Sequence, residues 1–291
     1  MGLVVYANGQ WVAEDAPVVN LFDHGLLYGD GVFEGIRCYS GRVFKLKQHL
    51  DRMFRSARAI HLKIPHTKEE FTEIILETCR RNSIQDGYIR PLVTRGTGDL
   101  GLDPRRCKEP NVYIIARPFS GLYGDIYDTG LKLITSSWRR TPPECLSPNV
   151  KCLNYLNNIL AKIEANNVGA HEAIMLDMQG FVCEATADNF FVVHEGEIMT
   201  PHRGSILIGV TRDTVFELAE KRGIAIEEAN LSMYDVYGAD EVFITGTAAE
   251  VAPVVEVDGR SIGEGKPGKI TKTLMADYTD YVRGTGTPIY R

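Results

Sequence analysis

Val150-Lys151-Cys152-Leu153-Asn154-Tyr155-Leu156-Asn157-Asn158 is the stretch on which the reading of this chain turns. It follows a Pro-rich turn, Thr141–Pro148, and leads into a helix expected from about Asn154 to Asn167, closed by Gly169. Lys151 has apolar neighbours in Val150, Cys152 and Leu153. An ammonium in such company is poorly solvated, which favours the free amine that Schiff-base chemistry needs. Taken alone, a surface lysine ahead of a helix is the plainer explanation. Glu184 poses a similar choice. It closes a strand after the Gln179-Gly180 turn, between Cys183 and Ala185, where a carboxylate wants a cationic partner. A pyridinium nitrogen would serve, and so would an arginine.

Two small-residue turns lie further along. Gly209-Val210-Thr211-Arg212-Asp213 places Thr211 at the expected N-cap of a helix that stops at Gly223. Free backbone N–H groups and the Thr hydroxyl there form either an ordinary cap or an anion site. Gly246-Thr247-Ala248-Ala249 follows directly on an expected strand, Glu241–Thr245, with no bulky side chain to keep a phosphate from the backbone. Two such turns in one half suggest a phosphorylated cofactor. Arg52 lies off the apolar stripe of its helix and is either a fixed positive charge or a solvated arginine. Gly96-Thr97-Gly98-Asp99-Leu100-Gly101 matches the dinucleotide pattern, but Leu102-Asp103-Pro104 follows where a helix is required. It reads as a mobile loop.

Around these motifs the chain mixes strands and helices without the regular alternation of a doubly wound sheet. Val4-Val5-Tyr6 and Gln10-Trp11-Val12 flank an Asn8-Gly9 hairpin turn. Val43-Phe44 is a short strand. Leu46, Leu50, Met53, Phe54, Ala57 and Ile60 recur at helical spacing, and Thr67 with Glu70 forms a capping box for a helix striped by Phe71, Ile74, Ile75 and Cys79. Strands are expected at Tyr88–Thr94, Val112–Ala116, Leu131–Ser136, Ala173–Asp177, Phe181–Glu184 and Asn189–Val193, and a last helix at Lys269–Val282. The loop-like stretch Pro118–Gly130 marks a linker. The expected organisation is a small domain over residues 1–118, a linker over 119–130 and a large domain over 131–291.

The 291 residues are 44% hydrophobic and 24% charged, an ordinary globular balance, with a net charge of −6. No basic block suggests nucleic acid or an anionic membrane, and no apolar run is long enough to span one. The six cysteines form no Cys-x-x-Cys pair and no metal spacing with histidine, so no metal is expected. A reduced, cytoplasmic protein without a signal peptide is the simplest reading.

The motifs, taken in order, resemble a family. Lys151-x-x-Asn154-Tyr155, Glu184-x-Thr186-x-x-Asn189-Phe190-Phe191, Gly209-Val210-Thr211-Arg212 and Gly246-Thr247-Ala248-Ala249-Glu250-Val251 look like the motif set of class IV, fold-type IV, pyridoxal-phosphate aminotransferases. Phe22-Asp23-His24-Gly25 through Phe33-Glu34-Gly35-Ile36-Arg37, together with Tyr88-Ile89-Arg90-Pro91, resembles the branched-chain amino-acid aminotransferases within that class. Lys-x-Leu-Asn at 151–154 is also the form of D-amino-acid aminotransferases and related lyases.

The resemblance implies an α+β, two-domain fold, with a small N-terminal α/β domain, a larger β-barrel-like domain and pyridoxal 5'-phosphate held between them. Lys151 would carry the cofactor and shuttle the substrate proton. Glu184 would pair with the ring nitrogen and Tyr155 with the ring hydroxyl. Arg52, Val210, Thr211 and Thr247 would hold the phosphate. Tyr88, Arg90, Thr247 and Ala248 would hold the substrate, with Phe33 and Arg37 nearby, and Tyr28 and Leu102 would come from the second subunit of a homodimer or a dimer-based assembly. The implied reaction moves the amino group of branched-chain L-amino acids to 2-oxoglutarate. The other readings are a D-amino-acid or (R)-amine transaminase, an aminodeoxychorismate lyase-like enzyme, and a binding protein that keeps only the scaffold.

Overall fold

Two sheets, one in each of two separately packed units, organise the residues described by this computed structural model, 2–16 and 19–290. The first unit comprises the described residues of Met1–Ser120, Val150–Asn154 and Val282–Arg291, and the second comprises Gly121–Asn149 and Tyr155–Tyr281. The lysine segment and the C-terminal residues thus pack with the first unit, which a single cut at 118–130 does not provide for.

In the first unit, β1 (Val4–Ala7) and β2 (Gln10–Ala13) form the expected hairpin, with Asn8 and Gly9 both at positive φ as its turn requires. A short helix α1 (His24–Tyr28) precedes β3 (Gly31–Phe33), β4 (Ile36–Tyr39) and β5 (Arg42–Val43). Helices α2 (Leu46–Ala59) and α3 (Lys68–Arg81) lead to the long strands β6 (Gly87–Thr94) and β7 (Asn111–Pro118). The sheet order is β5-β4-β6-β7-β1-β2, with Thr287–Pro288 added beside β5 and β3 paired to β6. Leu50, Met53, Phe71, Ile75, Ile89, Val93 and Ile114 fill its core. Both hydrogen bonds of the α3 capping box are made. Thr67 Oγ1 accepts from Glu70 N, and the Glu70 carboxylate accepts from Thr67 N.

The second unit opens not with a bare linker but with a short helix, α4 (Ile126–Thr129), whose Tyr127, with Tyr123 just before the helix, packs on the core that follows. Tyr127 Oη donates to Ala249 O at 2.9 Å. Then come β8 (Leu131–Thr135), α5 (Pro143–Leu146), α6 (Leu156–Asn167), β9 (Glu172–Leu176), β10 (Val182–Ala185), β11 (Asn189–His194) and β12 (Glu197–Pro201). They are followed by α7 (Val210–Arg222), β13 (Ile226–Ala229), α8 (Met233–Tyr237), β14 (Glu241–Gly246), β15 (Glu250–Val257), β16 (Arg260–Ser261) and α9 (Lys269–Gly284). Strands β10-β9-β8-β15-β14-β11 pair in sequence, and β11 pairs back to β10, so the path closes on itself. This is the β-barrel-like domain that was expected, with β12 and β13 extending from β11. The chain has the mixed α+β, two-sheet architecture.

Two expected helix starts move. Helix α6 begins at Leu156 with Tyr155 as N-cap, and α7 begins at Val210 with Gly209 as N-cap, so Thr211 lies inside the first turn. Seven strands have no counterpart in the sequence reading: β3, β4, β12, β13, β15, β16 and the short one at Thr287–Pro288. Strand β13 shows why, since Glu227 and Glu228 interrupt its apolar pattern and its pairing with β12 is parallel and non-local.

Replacing Thr67 by Ala removes the acceptor for an otherwise orphaned N–H and is expected to cost about 1 kcal/mol of unfolding free energy, read by urea denaturation.

Candidate active site

Strand β6 sets the first unit's contribution. Ile89, Pro91 and Val93 alternate into the core, which turns Tyr88 and Arg90 to the opposite face. The Arg90 guanidinium donates from Nη2 to Tyr88 Oη at 2.9 Å and lies 4.7 Å from the Phe33 ring centroid. Lys151 Nζ lies 4.6 Å from the centroid of the same Phe33 ring. Tyr88 continues the band to Phe119, at 5.7 Å between ring centroids, and Arg37 is buried between Phe119 and Tyr39, at 4.7 and 4.6 Å. Cations and aromatic rings alternate along the band except where Tyr88 meets Phe119, and each cation–ring contact adds about 0.5–2 kcal/mol as desolvation increases. Gly35 makes room for it. A Cβ at that position would collide with Tyr88 Oη, so the close approach of ring to backbone requires glycine.

Helix α2 fixes the lysine. His49, Arg52 and Ser56 recur at i, i+3 and i+7, which puts them on one face, and all three are buried. Ser56 Oγ accepts from Lys151 N at 3.1 Å, while Lys151 O accepts from Phe33 N at 3.1 Å. The lysine backbone is therefore held on both its donor and acceptor sides, and its side chain is half-buried rather than spread on the surface. Arg52 is not a solvated arginine. Its Nε and Nη2 donate to Glu34 Oε1 and Oε2 at 2.7 and 2.8 Å, and His49 Nδ1 lies 2.8 Å from Glu34 Oε2.

In the second unit, Glu184 is the focus. Arg140 Nε donates to its Oε1 at 2.7 Å, and the Leu207 amide donates to Oε2 at 2.9 Å. Asn189 Nδ2 also donates to Oε2, at 3.3 Å. The arginine reading of this carboxylate is thus realised, with Tyr155 among the groups that bear on the Arg140 charge. The two small-residue turns meet at the start of β11, where Asn189 pairs with Thr245. A Cβ on Gly209 would strike Asn189 Oδ1, and one on Gly246 would strike Asp188 Oδ1. At one turn the first amides of α7, those of Val210, Thr211 and Arg212, have no partner within the helix, because its first i→i−4 bond runs from Asp213 N to Gly209 O. At the other, Thr247 and Ala248 form the turn between β14 and β15. Backbone donors at a helix N-terminus, glycine-lined turns and a buried carboxylate fixed by three donors fit a phosphorylated pyridine.

Most of the expected site residues fall in these two groups: Phe33, Arg37, Arg52, Tyr88, Arg90 and Lys151 in the first unit, and Tyr155, Glu184, Val210, Thr211, Thr247 and Ala248 in the second. Tyr28 and Leu102 stand apart. Both are exposed, and the Tyr28 hydroxyl donates to Leu100 O at 2.6 Å. The Gly-rich loop between them is seated on its own chain, with Gly98 N donating to Phe22 O and His24 N to Gly96 O. Glu34, His49, Ser56, Arg140 and Asn189 join these groups without an expected role, although Glu34 and Asn189 lie within the motifs. The i, i+3, i+7 spacing on α2 was a usable signal for two of them; the pairing of Arg140 with a strand 44 residues away was not.

Burial opposes the Glu34 charge, but Arg52 and His49 outweigh it and hold the carboxyl far below the usual range. Burial pushes the His49 imidazole down, and the positive charges of Arg52 and Lys151 add to that, against the opposing pull of Glu34. His49 is therefore neutral in the fold, and only the unfolded chain takes up its proton near neutral pH. Its contribution is complete above the unfolded value of about 6.5 and is lost as pH falls from there toward the lower folded value. The difference in unfolding free energy between wild type and His49→Gln should accordingly be largest near pH 8 and shrink steadily toward pH 5, as measured by denaturant titration.

The amino-transferase class IV family model matches residues 31–257. The chain is 52% identical over 287 residues to the putative branched-chain-amino-acid aminotransferase of Methanocaldococcus jannaschii, covering 98% of this chain and 99% of that one. It superposes with a TM-score of 0.94, at 37% identity, on the T.th. branched-chain amino acid aminotransferase with pyridoxamine 5'-phosphate, covering 98% and 95% of the two chains. The complex of that enzyme with N-(5'-phosphopyridoxyl)-L-glutamate gives 0.93 at 37% identity, with the same coverage. A match over this much of the chain, joined to the lysine, carboxylate and turn geometry above, has one reading: the chain belongs to the class IV aminotransferases.

Proposed function

We propose that this enzyme transfers the amino group of branched-chain L-amino acids to 2-oxoglutarate by a ping-pong cycle, with pyridoxal 5'-phosphate as its resident cofactor. The observation that carries this reading is that Lys151 Nζ and the Arg90 guanidinium share the Phe33 ring, at 4.6 and 4.7 Å. An amine for proton transfer and a cation for a carboxylate thus lie together on an aromatic wall suited to an aliphatic side chain. The M. jannaschii relative and the T.th. enzyme structures, one of them holding an L-glutamate adduct, support the L-specific, branched-chain form.

When bound, the cofactor supplies an aldehyde that captures the amino group and a ring that accepts electrons from Cα. Lys151 would take the proton from substrate Cα as a general base and deliver it as a general acid to C4′ of the cofactor. Glu184, held in place by the Arg140 guanidinium and the Leu207 amide, would pair with the ring nitrogen and keep it protonated. Tyr155 orients the ring through its hydroxyl. Val210, Thr211, Thr247 and Arg52 would hold the phosphate through backbone N–H, hydroxyl and guanidinium donors. Arg90, with Tyr88 and the turn at Thr247-Ala248, binds the carboxylate of the amino or oxo acid. Phe33 and the Arg37 region form the wall that accepts the aliphatic side chain and excludes water.

Tyr28 and Leu102 would complete the pocket of a second copy in a homodimer. Supporting this, Leu21, Phe22, Leu26, Leu100 and Leu102 are all exposed in the first unit, an apolar group that water alone covers poorly. A cytoplasmic location agrees with six free cysteines. Among the described residues no helix is long and apolar enough to cross a membrane.

The test is a substrate panel with 2-oxoglutarate. L-leucine, L-isoleucine and L-valine should turn over, and D-alanine and (R)-1-phenylethylamine should not; the reverse order would establish the D-amino-acid or (R)-amine reading. Lys151→Ala should lower the rate by at least about a thousandfold, and borohydride should fix pyridoxal phosphate to the wild-type chain but not to this variant. In sedimentation velocity the wild type should run as a dimer, and Leu102→Asp should shift it toward monomer.

A further inference from the structure

Glu34 lies at the break between β3 and β4, fully buried, and its own N–H donates to Pro91 O at 3.0 Å. Both carboxylate oxygens are used within the unit: Oε1 by Arg52 Nε, and Oε2 by Arg52 Nη2 and His49 Nδ1. A side-on pair through Nε and Nη2 fixes the plane of the guanidinium as well as its position, because the fork has one orientation that satisfies both oxygens. The opposite edge of that plane, which carries Nη1, is fixed by the same constraint. The residue before Glu34, Phe33, donates its N–H to Lys151 O, and Ser56, one turn beyond Arg52 on the same face of α2, accepts from Lys151 N. Carboxylate, guanidinium and lysine backbone therefore form one rigid frame built from β3, α2 and the segment at 150–154.

We infer that Glu34 is a positioning residue for the cofactor phosphate, aiming Arg52 at it and holding that cation in register with Lys151. The inference rests on the cofactor reading proposed above. A carboxylate that only balanced the buried charge of Arg52 would serve the fold equally well at other distances and angles. A positioning carboxylate has to keep its reach. The two roles differ in how they treat a ligand with a phosphate and a ligand without one.

The experiment measures binding of three ligands to the apoprotein by fluorescence: pyridoxal phosphate, pyridoxine phosphate and pyridoxal. Glu34→Asp keeps the charge but withdraws the carboxylate by one methylene. It should weaken both phosphorylated ligands about tenfold, the scale of one misdirected charge-assisted hydrogen bond, and leave pyridoxal unchanged. In an Arg52→Gln background the same substitution should have no further effect. Unchanged binding of all three ligands, or equal weakening of all three, overturns the proposal. So does a Glu34→Gln protein that binds the phosphorylated ligands more tightly than wild type, since that is the mark of charge balance alone. Should Glu34→Asp fail to fold, His49→Gln releases one side of Oε2 while leaving Glu34 and Arg52 in place. It should show the same pattern with a smaller loss, and no loss overturns the proposal. A wild-type chain that binds no pyridoxal phosphate overturns this inference and the functional reading together, whereas wild-type binding with unchanged variants overturns this one alone.

Discussion

Burying a carboxylate is tolerable only when both of its oxygens find donors and its charge a partner, and the first unit is arranged around that requirement at Glu34. Two arginine nitrogens and one histidine nitrogen meet it, all from α2. Meeting it dictates which face of α2 turns inward, and that face also supplies the hydroxyl that holds the Lys151 amide. The apolar residues of α2, Leu46, Leu50, Met53 and Ala57, would permit some rotation of the helix about its axis, since a hydrophobic surface is not directional. The polar stripe beside them does not.

The second unit solves a parallel problem. Glu184 is buried in a strand and is met by Arg140, the Leu207 amide and Asn189. Each unit thus carries one buried acid paired with one buried arginine, and each pair lies beside a group that the chemistry needs: the lysine in one case, the phosphate turns in the other. Breaking either pair would leave an uncompensated buried charge, among the costlier changes a core can suffer. Small residues do the complementary work. Gly35 lets Tyr88 lie over the backbone, and Gly209 and Gly246 let Asn189 and Asp188 approach the two turns.

Much of this was legible in the sequence wherever the signal was local. The Asn8-Gly9 hairpin, the Thr67–Glu70 capping box and the periodic stripes of α2 and α3 depend on residues a few positions apart, and they stand where the pattern placed them. The motif residues were legible because fixed types at fixed spacings carry chemistry. Helix starts were less so: Thr211 is a good cap by type, but the chain turns two residues earlier at Gly209, whose lack of a side chain admits Asn189. Strand β13 was missed because its partner is distant and its pattern is broken by Glu227 and Glu228.

The sequence by itself determined the class of the protein: a mixed α+β chain with a candidate Schiff-base lysine, two phosphate-type turns and a carboxylate wanting a cation. Only the tertiary structure decided which cation. Glu34 met Arg52 across 18 residues and Glu184 met Arg140 across 44, and no spacing rule connects such pairs. It also decided that Arg52 is buried and fixed rather than solvated, and that Lys151 packs with the first unit although the chain around it belongs to the second. Local structure follows from steric and hydrogen-bonding preferences that act over a few residues. Burial and charge pairing are properties of the packed whole, where a group's partner is set by what the fold brings beside it.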